Sequence, residues 1–382
     1  MQKKKIASLF ASLKNWWGVE KVQANLSIEL TNLWYDFYHI LCENILPNNK
    51  YKWEIISLNK PFVSWFWIKK ITSLFVDTYS IVQICKKKKI DILIWQWDFF
   101  FMVSGLSKLF WFKWKTIAVV HTTIGIRNKF INFVLKLFLK LHDSIILISE
   151  EEYMTFVDDY KFKKEHLKVI HNFVDFPAVN ELKQSQEKIS DVSFDKFTFI
   201  NIGRLTYQKW QERLLKAFDK FHREYPNSQL IILWDWELKP KYEKLRKDLL
   251  SWKDIHLMGN KKNIHSYLLN SHCFVLSSYF EGFPLVLLEA ISSEIPIIST
   301  NCPTWPTEIL NWERDISEML ITQQGILVPF KIDTEQCLYE AMKIMYLQKE
   351  TAMNFIHNNQ SKLKEFSKEK VIKKRDELFQ SI

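Results

Sequence analysis

The chain has 382 residues, enough for two domains of ordinary size, and its 47% hydrophobic and 25% charged content exclude a disordered or fibrous protein. Its net charge of +10 favours an anionic partner, such as a phosphorylated ligand, a membrane surface or nucleic acid. Five scattered cysteines form no C-x-x-C pair, which argues against a disulfide framework or a structural zinc site and fits a reducing compartment.

The N-terminus, "MQKKKIASLFASLK", starts with basic residues, but its apolar run is short and soon interrupted by Lys14. We therefore expect no signal peptide. No stretch of 18 uncharged apolar residues occurs, so no transmembrane helix is expected either.

Short apolar runs rich in β-branched residues alternate with longer amphipathic stretches. In the first half, helices are predicted at 19–33 and 128–141. Strands are predicted there at 51–58, 90–95, 115–121 and 142–149. In the second half, strands with helical runs between them are predicted at 197–203, 228–234, 254–259, 273–278, 295–300 and 325–330. This alternation predicts an α/β protein with two doubly wound, Rossmann-like domains, each a parallel sheet covered by helices on both faces.

The polar stretch 176–196 lacks an apolar period and is interpreted as a linker between domains at 1–175 and 197–350. The tail at 351–382 is helical in pattern and highly charged. It is either a solvated amphipathic helix or a set of helices that packs back on the first domain. Because ligands bind at the carboxyl ends of parallel strands, the residues just after each strand are the functional candidates.

The first of these candidates is "SSYFEGFPLVLLEA" (277–290), which follows a buried strand and leads into a helix. Glu281 and Glu289 are eight residues apart and flank a turn in which Pro284 suits the first turn of a helix. The helix N-terminus would offer backbone N–H groups to an anion. The alternative is that Glu281 only complements the helix dipole and that Glu289 is an exposed helical acid.

The second candidate is "NIGRLTYQKW" (201–210), in which Gly203 and Arg204 close a strand and Lys209 follows five residues later. Two cations on a loop at the carboxyl end of a strand could clamp a diphosphate. The alternative is two solvated loop cations.

With these motifs in place, nearly the whole chain resembles the retaining glycosyltransferases of the two-Rossmann-domain (GT-B) type known as family 4. The resemblance is carried by eight segments in the family's order: "NWWGVEKV" (15–22), "AVVHTT" (118–123), "LISEEEY" (147–153), "VIHNFVDF" (169–176), "GRLTYQKW" (203–210), "LWDWEL" (233–238), "EGFPLVLLE" (281–289) and "CPTWPTEIL" (302–310). The E-x₇-E block and the motif order are the specific features. The last segment is similar to that of members that use UDP-N-acetylhexosamines.

The resemblance implies a role for each matching residue. Arg204 and Lys209 would hold the donor diphosphate and stabilise charge on the leaving group. Glu281 would contact the hydroxyls of the donor sugar, and Glu289 would accept hydrogen bonds from the ribose. His121 would lie below the donor sugar across a cleft between the domains, unless it is a locally satisfied strand-end histidine. The remaining donor-binding positions are Gly203, Gly282, Phe283, Pro284 and Leu285.

The resemblance also implies a turn at Trp17 and Gly18 that approaches the phosphates and the acceptor. The family retains anomeric configuration by front-face attack, so no protein nucleophile is assigned. No D-x-D metal site is found in the sequence, and we expect neither a metal nor another cofactor.

Tryptophan is the anomaly of this sequence. Glycine occurs only 7 times and tryptophan 16 times, and together they make up about 6% of the chain, near the usual share of glycine alone. The tryptophans that stand where the family has glycine are Trp16, Trp17, Trp210, Trp234, Trp236 and Trp305. Glycine is needed there for positive φ or close backbone approach to phosphate. "NWERD" (311–315) and "LIWQWDFF" (93–100) resemble further glycine turns, whereas Trp34, interpreted as helical, can be genuine.

Two explanations of the tryptophans remain open. Some bacterial lineages read the codon UGA as glycine and others read it as tryptophan, so translation with the wrong table would produce this pattern. The alternative is real aromatic substitution in an inactive homologue.

The resulting functional prediction is transfer of a hexose or N-acetylhexosamine from a UDP-sugar to a lipid-linked or cell-surface glycan precursor. A non-catalytic nucleotide-sugar-binding homologue is the alternative if the tryptophans are real. The lysine runs and "WFWIKK" (65–70) suit a peripheral contact with the cytoplasmic face of a membrane, or they are ordinary solvated lysines. No nucleic-acid-binding motif is present, so nucleic acid is not expected as a partner.

Overall fold

The computed structural model describes residues 3–10, 19–41, 54–58, 67–96, 107–108, 114–121, 129–184, 189–235, 237–261, 263–302, 306–310 and 316–382. The chain divides into two units. The first unit comprises residues 1–173 and 369–382, and the second comprises residues 174–368.

The first unit is built on a seven-stranded parallel sheet with the order β3-β2-β1-β4-β5-β6-β7. Its strands are β1 (Lys5–Phe10), β2 (Asp36–Leu41), β3 (Glu54–Ser57), β4 (Ile92–Trp95), β5 (Lys115–Val120), β6 (Ser144–Leu147) and β7 (Leu167–Val169). Its helices are α1 (Val19–Asn32), α2 (Trp67–Lys88), α3 (Lys129–Leu139) and α4 (Glu150–Asp158).

One face of this sheet packs against helices α2, α3 and α4. A single core cluster joins Ile81 and Val82 of α2 to Leu135 and Leu139 of α3 and to the sheet. The central strands are buried along their whole length, as expected of parallel strands covered on both faces.

The second unit repeats this plan with the strand order β10-β9-β8-β11-β12-β14-β13, in which only the β13–β14 pair is antiparallel. Its strands are β8 (Phe197–Ile202), β9 (Ser228–Leu233), β10 (Ile255–Gly259), β11 (Cys273–Leu276), β12 (Ile297–Thr300), β13 (Leu320–Ile321) and β14 (Ile326–Val328). Its helices are α5 (Phe176–Gln184), α6 (Gln211–Glu224), α7 (Lys239–Asp248), α8 (Ile264–Asn270), α9 (Leu285–Ser292), α10 (Pro306–Leu310), α11 (Thr334–Leu347) and α12 (Lys349–Leu363).

The last helix, α13 (Lys368–Ser381), belongs to the first unit from residue 369 onward. Its backbone carbonyl at Phe379 accepts a hydrogen bond from Lys4 Nζ at 2.7 Å, and Tyr35 Oη donates to Asp376 at 2.5 Å. Thus α12 remains with the second unit, whereas α13 packs on the first.

The α/β class with two doubly wound parallel-sheet units is confirmed, and all ten predicted strands coincide with observed ones. Four strands went unpredicted: β1, β2, β7 and β13. Asp36 and His39 break the apolar run of β2, and the strands β7 and β13 have only three and two residues. The stretch at 176–196 is not simply a linker, because α5 occupies 176–184 and contacts α8 and α9.

Candidate active site

The centre of the candidate site in the second unit is a buried ion pair. Lys209 Nζ lies 2.6 Å from Glu281 Oε1, and their side chains are only 13% and 5% exposed. The Ser278 hydroxyl also donates to this carboxylate. Lys209 follows β8 and Glu281 follows β11, and these two strands are neighbours in the sheet. The structure therefore brings together two motifs that are 72 residues apart in the sequence.

Three hydrogen bonds to backbone carbonyls hold the two loops side by side. The Tyr279 amide donates to the Gln208 carbonyl at 2.7 Å, and Gln208 Nε2 donates to the Phe280 carbonyl at 3.0 Å. Ser277 Oγ donates to the Lys209 carbonyl at 2.9 Å. These three bonds fix the positions of Lys209 and Glu281 independently of their own contact.

The loop at Gly203 and Arg204 is fixed in a similar way. Gln211 Nε2 donates to the carbonyls of Gly203, at 3.2 Å, and Arg204, at 3.0 Å. A Cβ at position 203 would lie 3.2 Å from Lys209 Cδ, so glycine leaves room for the lysine stem to pass. Gly203 thereby permits the path by which Lys209 reaches Glu281.

Helix α9 places the second acid of the E-x₇-E block. Glu289 is 6% exposed, so the interpretation of Glu289 as an exposed helical acid is wrong. The helix begins at Leu285, after the N-cap Pro284, which puts Glu289 about one turn into the helix. Gly282 and Phe283 form the turn between Glu281 and the helix, and the Leu285 amide donates to the Phe283 carbonyl at 2.9 Å.

Cys302 lies just after β12 in the same region. Burial, together with the negative charge of Glu281, raises the pKa of the Cys302 thiol. The thiol is therefore protonated at neutral pH and is not a nucleophile.

In the first unit, His121 directly follows β5 and is tied to the neighbouring strand. His121 Nε2 and Gln96 Oε1 are 2.7 Å apart, and Gln96 Nε2 donates to Ser8 Oγ at 3.4 Å. With Gln96 so oriented, Nε2 of His121 carries the proton and Nδ1 is left as an acceptor. Burial lowers the pKa of His121 to about 3, and the charge of Arg375 contributes. His121 is thus a neutral imidazole at physiological pH.

Arg375 of α13 is fully buried in the first unit. None of its three guanidinium nitrogens has a hydrogen-bond partner within the described part of the chain. Burial lowers its pKa to about 10.

Sequence reasoning missed both Gln96 and Arg375. Gln96 is the residue directly after β4, and the rule that strand ends carry function would have found it. Arg375 occupies the centre of an apolar stripe formed by Val371, Ile372, Leu378 and Phe379, a spacing that predicts burial of position 375.

Comparison with known proteins identifies the chain. Residues 17–176 match the family model described as Glycosyltransferase Family 4, and residues 182–362 match that of Glycosyl transferases group 1. An uncharacterized glycosyltransferase of Methanocaldococcus jannaschii is 30% identical over 97% of both chains. The chain belongs to the family 4 glycosyltransferases.

Two further comparisons extend this family assignment. The N-acetylgalactosamine-N,N'-diacetylbacillosaminyl-diphospho-undecaprenol 4-alpha-N-acetylgalactosaminyltransferase of Campylobacter jejuni is 22% identical over 93% of both chains. The structure of Anabaena HepE in complex with UDP and glucose superposes with a TM-score of 0.76, at 15% identity, over 99% of this chain and 100% of that chain. This likeness shows that the glycosyltransferase has the GT-B fold.

Two tryptophans of this glycosyltransferase, at positions where the sequence analysis predicts glycine, have positive φ. Trp234 has a φ of 125°, well outside the left-handed helical region, while its amide donates to the Gly259 carbonyl at 2.8 Å. Trp210 has φ 51° and ψ 35°, and its indole stacks on Arg213 with the guanidinium carbon 3.3 Å from the ring centroid. Both conformations are those that glycine adopts without steric cost.

For two other tryptophans, the structure differs from the interpretation made from the sequence. Trp34 is not helical, because α1 ends at Asn32 and Trp34 has a φ of 69°. The Tyr35 amide donates to the Leu30 carbonyl at 3.1 Å, which makes position 34 the left-handed residue of a Schellman motif, a usual glycine position. Trp95 lies in β4 and is fully buried in the core, not in a glycine turn.

Several predicted positions lie outside the described residues. These are Trp16, Trp17, Gly18, Trp236, Trp305, 97–100 and 311–315. Among the described residues, no group of three or more His, Cys, Asp or Glu side chains could hold a metal ion. Across the same residues, no helix combines the length and the apolar character needed to cross a membrane.

Proposed function

We propose that this glycosyltransferase transfers a hexose or N-acetylhexosamine from a UDP-sugar to a lipid-linked or cell-surface glycan precursor, with retention of anomeric configuration. The observation that carries the proposal is the buried Lys209–Glu281 pair at the carboxyl edge of the second unit's sheet. This edge is where nucleotides bind in doubly wound folds.

On this proposal, Arg204 and Lys209 neutralise the donor diphosphate and the charge that develops on the leaving phosphate. Glu281 binds hydroxyls of the donor sugar, and Glu289 accepts from the ribose. The turn at Gly282, Phe283, Pro284 and Leu285 faces sugar or phosphate. The complex of the structural neighbour HepE with UDP and glucose supports a uridine nucleotide as the donor carrier.

The proposed reaction proceeds by front-face attack, with the leaving phosphate accepting the acceptor proton. No protein nucleophile takes part, and Cys302 is unsuitable because its thiol stays protonated. The family resemblance implies a role for His121 in binding the donor sugar, and as a neutral imidazole it would act as a hydrogen-bond acceptor. Charge neutralisation by Arg204 and Lys209 takes the place of a metal ion, so the proposed reaction is metal-independent.

The relative from Campylobacter jejuni is named for a diphospho-undecaprenol acceptor, which supports a lipid-linked acceptor here. We place the reaction at the cytoplasmic face of a membrane, as a peripheral contact. The turn at Trp17 and Gly18 would approach the acceptor.

A non-catalytic nucleotide-sugar-binding homologue is the competing function, and the positive φ angles of Trp210 and Trp234 are the observation that favours it. An indole at φ 125° in Trp234 and another at φ 51° in Trp210 are expected to distort the loops that hold the donor. We propose that the cell instead inserts glycine at these codons, because UGA is read as glycine. UGG codons at positions 210, 234 and 305, or intact tryptophan in peptides of the native protein by mass spectrometry, would refute this.

The test of function compares the protein that has tryptophan at positions 16, 17, 210, 234, 236 and 305 with a variant that has glycine at all six. Thermal stabilisation is screened with UDP-, GDP- and ADP-sugars, since a ligand that binds the folded state raises its stability. We expect a UDP-sugar to stabilise the glycine variant and to support transfer in the presence of EDTA. Absence of UDP-sugar binding by the glycine variant would overturn the enzymatic proposal.

A further inference from the structure

Gln211 is a fully buried glutamine at the start of helix α6. Leu214 and Leu215, three and four residues later, belong to the core cluster of the second unit, so position 211 lies on the same inward side of the helix. From there the Gln211 side chain turns back over the preceding loop, where its amide meets the carbonyls of Gly203 and Arg204. The helix thus presents a buried amide to the segment that carries Arg204.

Both protons of this amide are donated to the loop. Gln211 Nε2 lies 3.2 Å from the carbonyl oxygen of Gly203 and 3.0 Å from that of Arg204. A flipped amide would place Oε1 against two carbonyl oxygens, so the donors must face the loop. In this orientation Oε1 is buried and has no hydrogen-bond partner among the described residues. An unsatisfied oxygen of this kind lowers stability, which indicates that Gln211 serves to hold the loop rather than to fill the core.

The backbone on each side of Arg204 is fixed by other contacts as well. The Gly203 amide donates to the Leu233 carbonyl at 3.1 Å, which continues the pairing of β8 with β9. Leu205 is fully buried in the same core cluster as helix α6. Gln211 adds the hydrogen bonds to the carbonyls of residues 203 and 204. Arg204 therefore starts from a backbone whose position is set before any ligand binds.

We propose that Gln211 is a positioning residue for the donor, because it fixes the backbone from which Arg204 reaches the diphosphate. Gln211 is buried, so it acts through Arg204 and not by contact with the donor. A fixed backbone limits the directions that the Arg204 guanidinium can take, and less entropy is lost when that group binds a phosphate. Lys209 is held separately, through its carbonyl by Ser277 and through its ammonium group by Glu281. The inference rests on the proposed function, in which Arg204 binds the donor diphosphate.

The test measures the affinity for UDP by isothermal titration calorimetry, in the variant with glycine at positions 16, 17, 210, 234, 236 and 305. Gln211→Met nearly keeps the shape of the side chain but removes both donors, and we expect it to weaken UDP binding by about tenfold. In the background of Arg204→Met, the same change should have little further effect, because residues that act through one another are not additive. An equal loss in both backgrounds would overturn the proposal, since Gln211 would then not act through Arg204.

Gln211→Glu supplies a readout that a loss of stability alone would not produce. A charged carboxylate at this position faces two carbonyl oxygens and cannot donate, whereas a protonated carboxyl group donates one hydrogen bond again. Burial raises the pKa of such a carboxyl group, so it takes up a proton as the pH is lowered from about 8 to 5. The UDP affinity of Gln211→Glu, relative to that of the Gln211 protein at the same pH, should therefore recover in part at low pH. A ratio that stays constant would show that the donated hydrogen bonds are not the cause.

Gln229 of β9 provides the matched control. It is 4% exposed, and its Nε2 donates to the Ser193 carbonyl at 2.6 Å and to Thr198 Oγ1 at 2.8 Å, at the opposite end of the sheet from Arg204. Gln229→Met and Gln229→Glu should lower the melting temperature, as the changes at position 211 do, but leave the affinity for UDP unchanged. A similar loss of UDP affinity in the Gln229 variants would mean that general stability, and not the position of Arg204, controls binding.

Hydrogen–deuterium exchange separates this inference from the proposed function, because it needs no ligand. Gln211→Met should speed exchange in the segment 203–209, for example at the Thr206 amide, which donates to the Arg204 carbonyl at 2.8 Å. A protein with Gln211 that binds no UDP would refute the proposed function, while faster exchange in Gln211→Met would still show that Gln211 fixes the loop. Unchanged exchange in Gln211→Met overturns the positioning role whether or not UDP binds.

Discussion

Lys209 Nζ and Glu281 Oε1 form a 2.6 Å ion pair that joins the loops after β8 and β11. The two residues are also positioned by hydrogen bonds of their loops, so the pair is preorganised rather than assembled by attraction alone. A buried pair of this kind adds little net stability, but the loss of one partner leaves an uncompensated buried charge.

Replacement of Lys209 is therefore expected to be costly to folding as well as to activity. Lys209→Met should lower the free energy of unfolding by about 3–5 kcal/mol, because Glu281 would remain charged and buried. Lys209→Met with Glu281→Gln should be less destabilised than the sum of the single variants. Urea denaturation of the four proteins gives the coupling, with Lys241→Met as the control for an exposed ion pair, at 59% exposure of the lysine side chain. Additive single effects would contradict the pairing.

The conformations of the tryptophans predict a substitution that stabilises the fold. Trp34→Gly should raise the free energy of unfolding by about 1 kcal/mol, since glycine adopts φ 69° without strain and the Trp34 side chain is 75% exposed. Trp95→Gly is the control, because Trp95 is fully buried in β4 and its removal should cost about 3–5 kcal/mol. Thermal melts of both variants measure the two effects. Destabilisation by Trp34→Gly would mean that the indole is a genuine part of the fold.

The sequence located the loops of the second unit because their strands are apolar and end in glycine or in polar residues. Gly203, Arg204, Lys209 and Glu281 were all predicted in this way, and the structure brings Lys209 and Glu281 together. The sequence could not reveal side chains whose partners are distant along the chain. One of these is Gln208, whose side-chain amide donates to the Phe280 carbonyl. Gln208 and Phe280 are 72 residues apart, and no local period links them.

In the first unit, less of the site could be predicted. His121 stands at the end of a typical strand, but its partner Gln96 was obscured by the adjacent tryptophans. Arg375 was missed although the apolar stripe of α13 predicts burial of its position, because arginine is seldom fully buried. The burial of Glu289 was equally beyond sequence, because a helical acid one turn from the N-terminus can face either solvent or protein.

Buried histidines predict acid sensitivity of the first unit. Burial lowers the pKa of His39 to about 3 and that of His142 to about 4, against about 6.5 in the unfolded chain. The unfolded state therefore binds more protons between pH 4 and pH 6. Stability present above pH 6.5 is lost as the pH falls, by about 1.4 kcal/mol per pH unit for each ring. Urea titrations at pH 7, 6 and 5 measure how the free energy of unfolding changes with pH. His39→Gln should reduce this slope by the contribution of one histidine. An unchanged slope would show that His39 is not the titrating group.

The Gln96–His121 contact predicts how the pH profile of sugar transfer can be changed. With Gln96, the pKa of His121 is about 3, so no titration of this imidazole is expected between pH 5 and pH 8. Gln96→Glu places a carboxylate 2.7 Å from Nε2 and should raise the pKa of His121 by about 1–3 units, because an opposite charge favours the imidazolium. The protonated ring has no acceptor at Nδ1, so the activity of this variant should fall as the pH is lowered towards the new pKa.

Gln96→Met, which adds no charge, should lower activity without this pH dependence. Transfer rates from pH 4.5 to 8, together with ¹⁵N chemical shifts of His121, measure both effects. A profile of Gln96→Glu that parallels that of the parent protein would show that His121 does not act as a hydrogen-bond acceptor in the reaction.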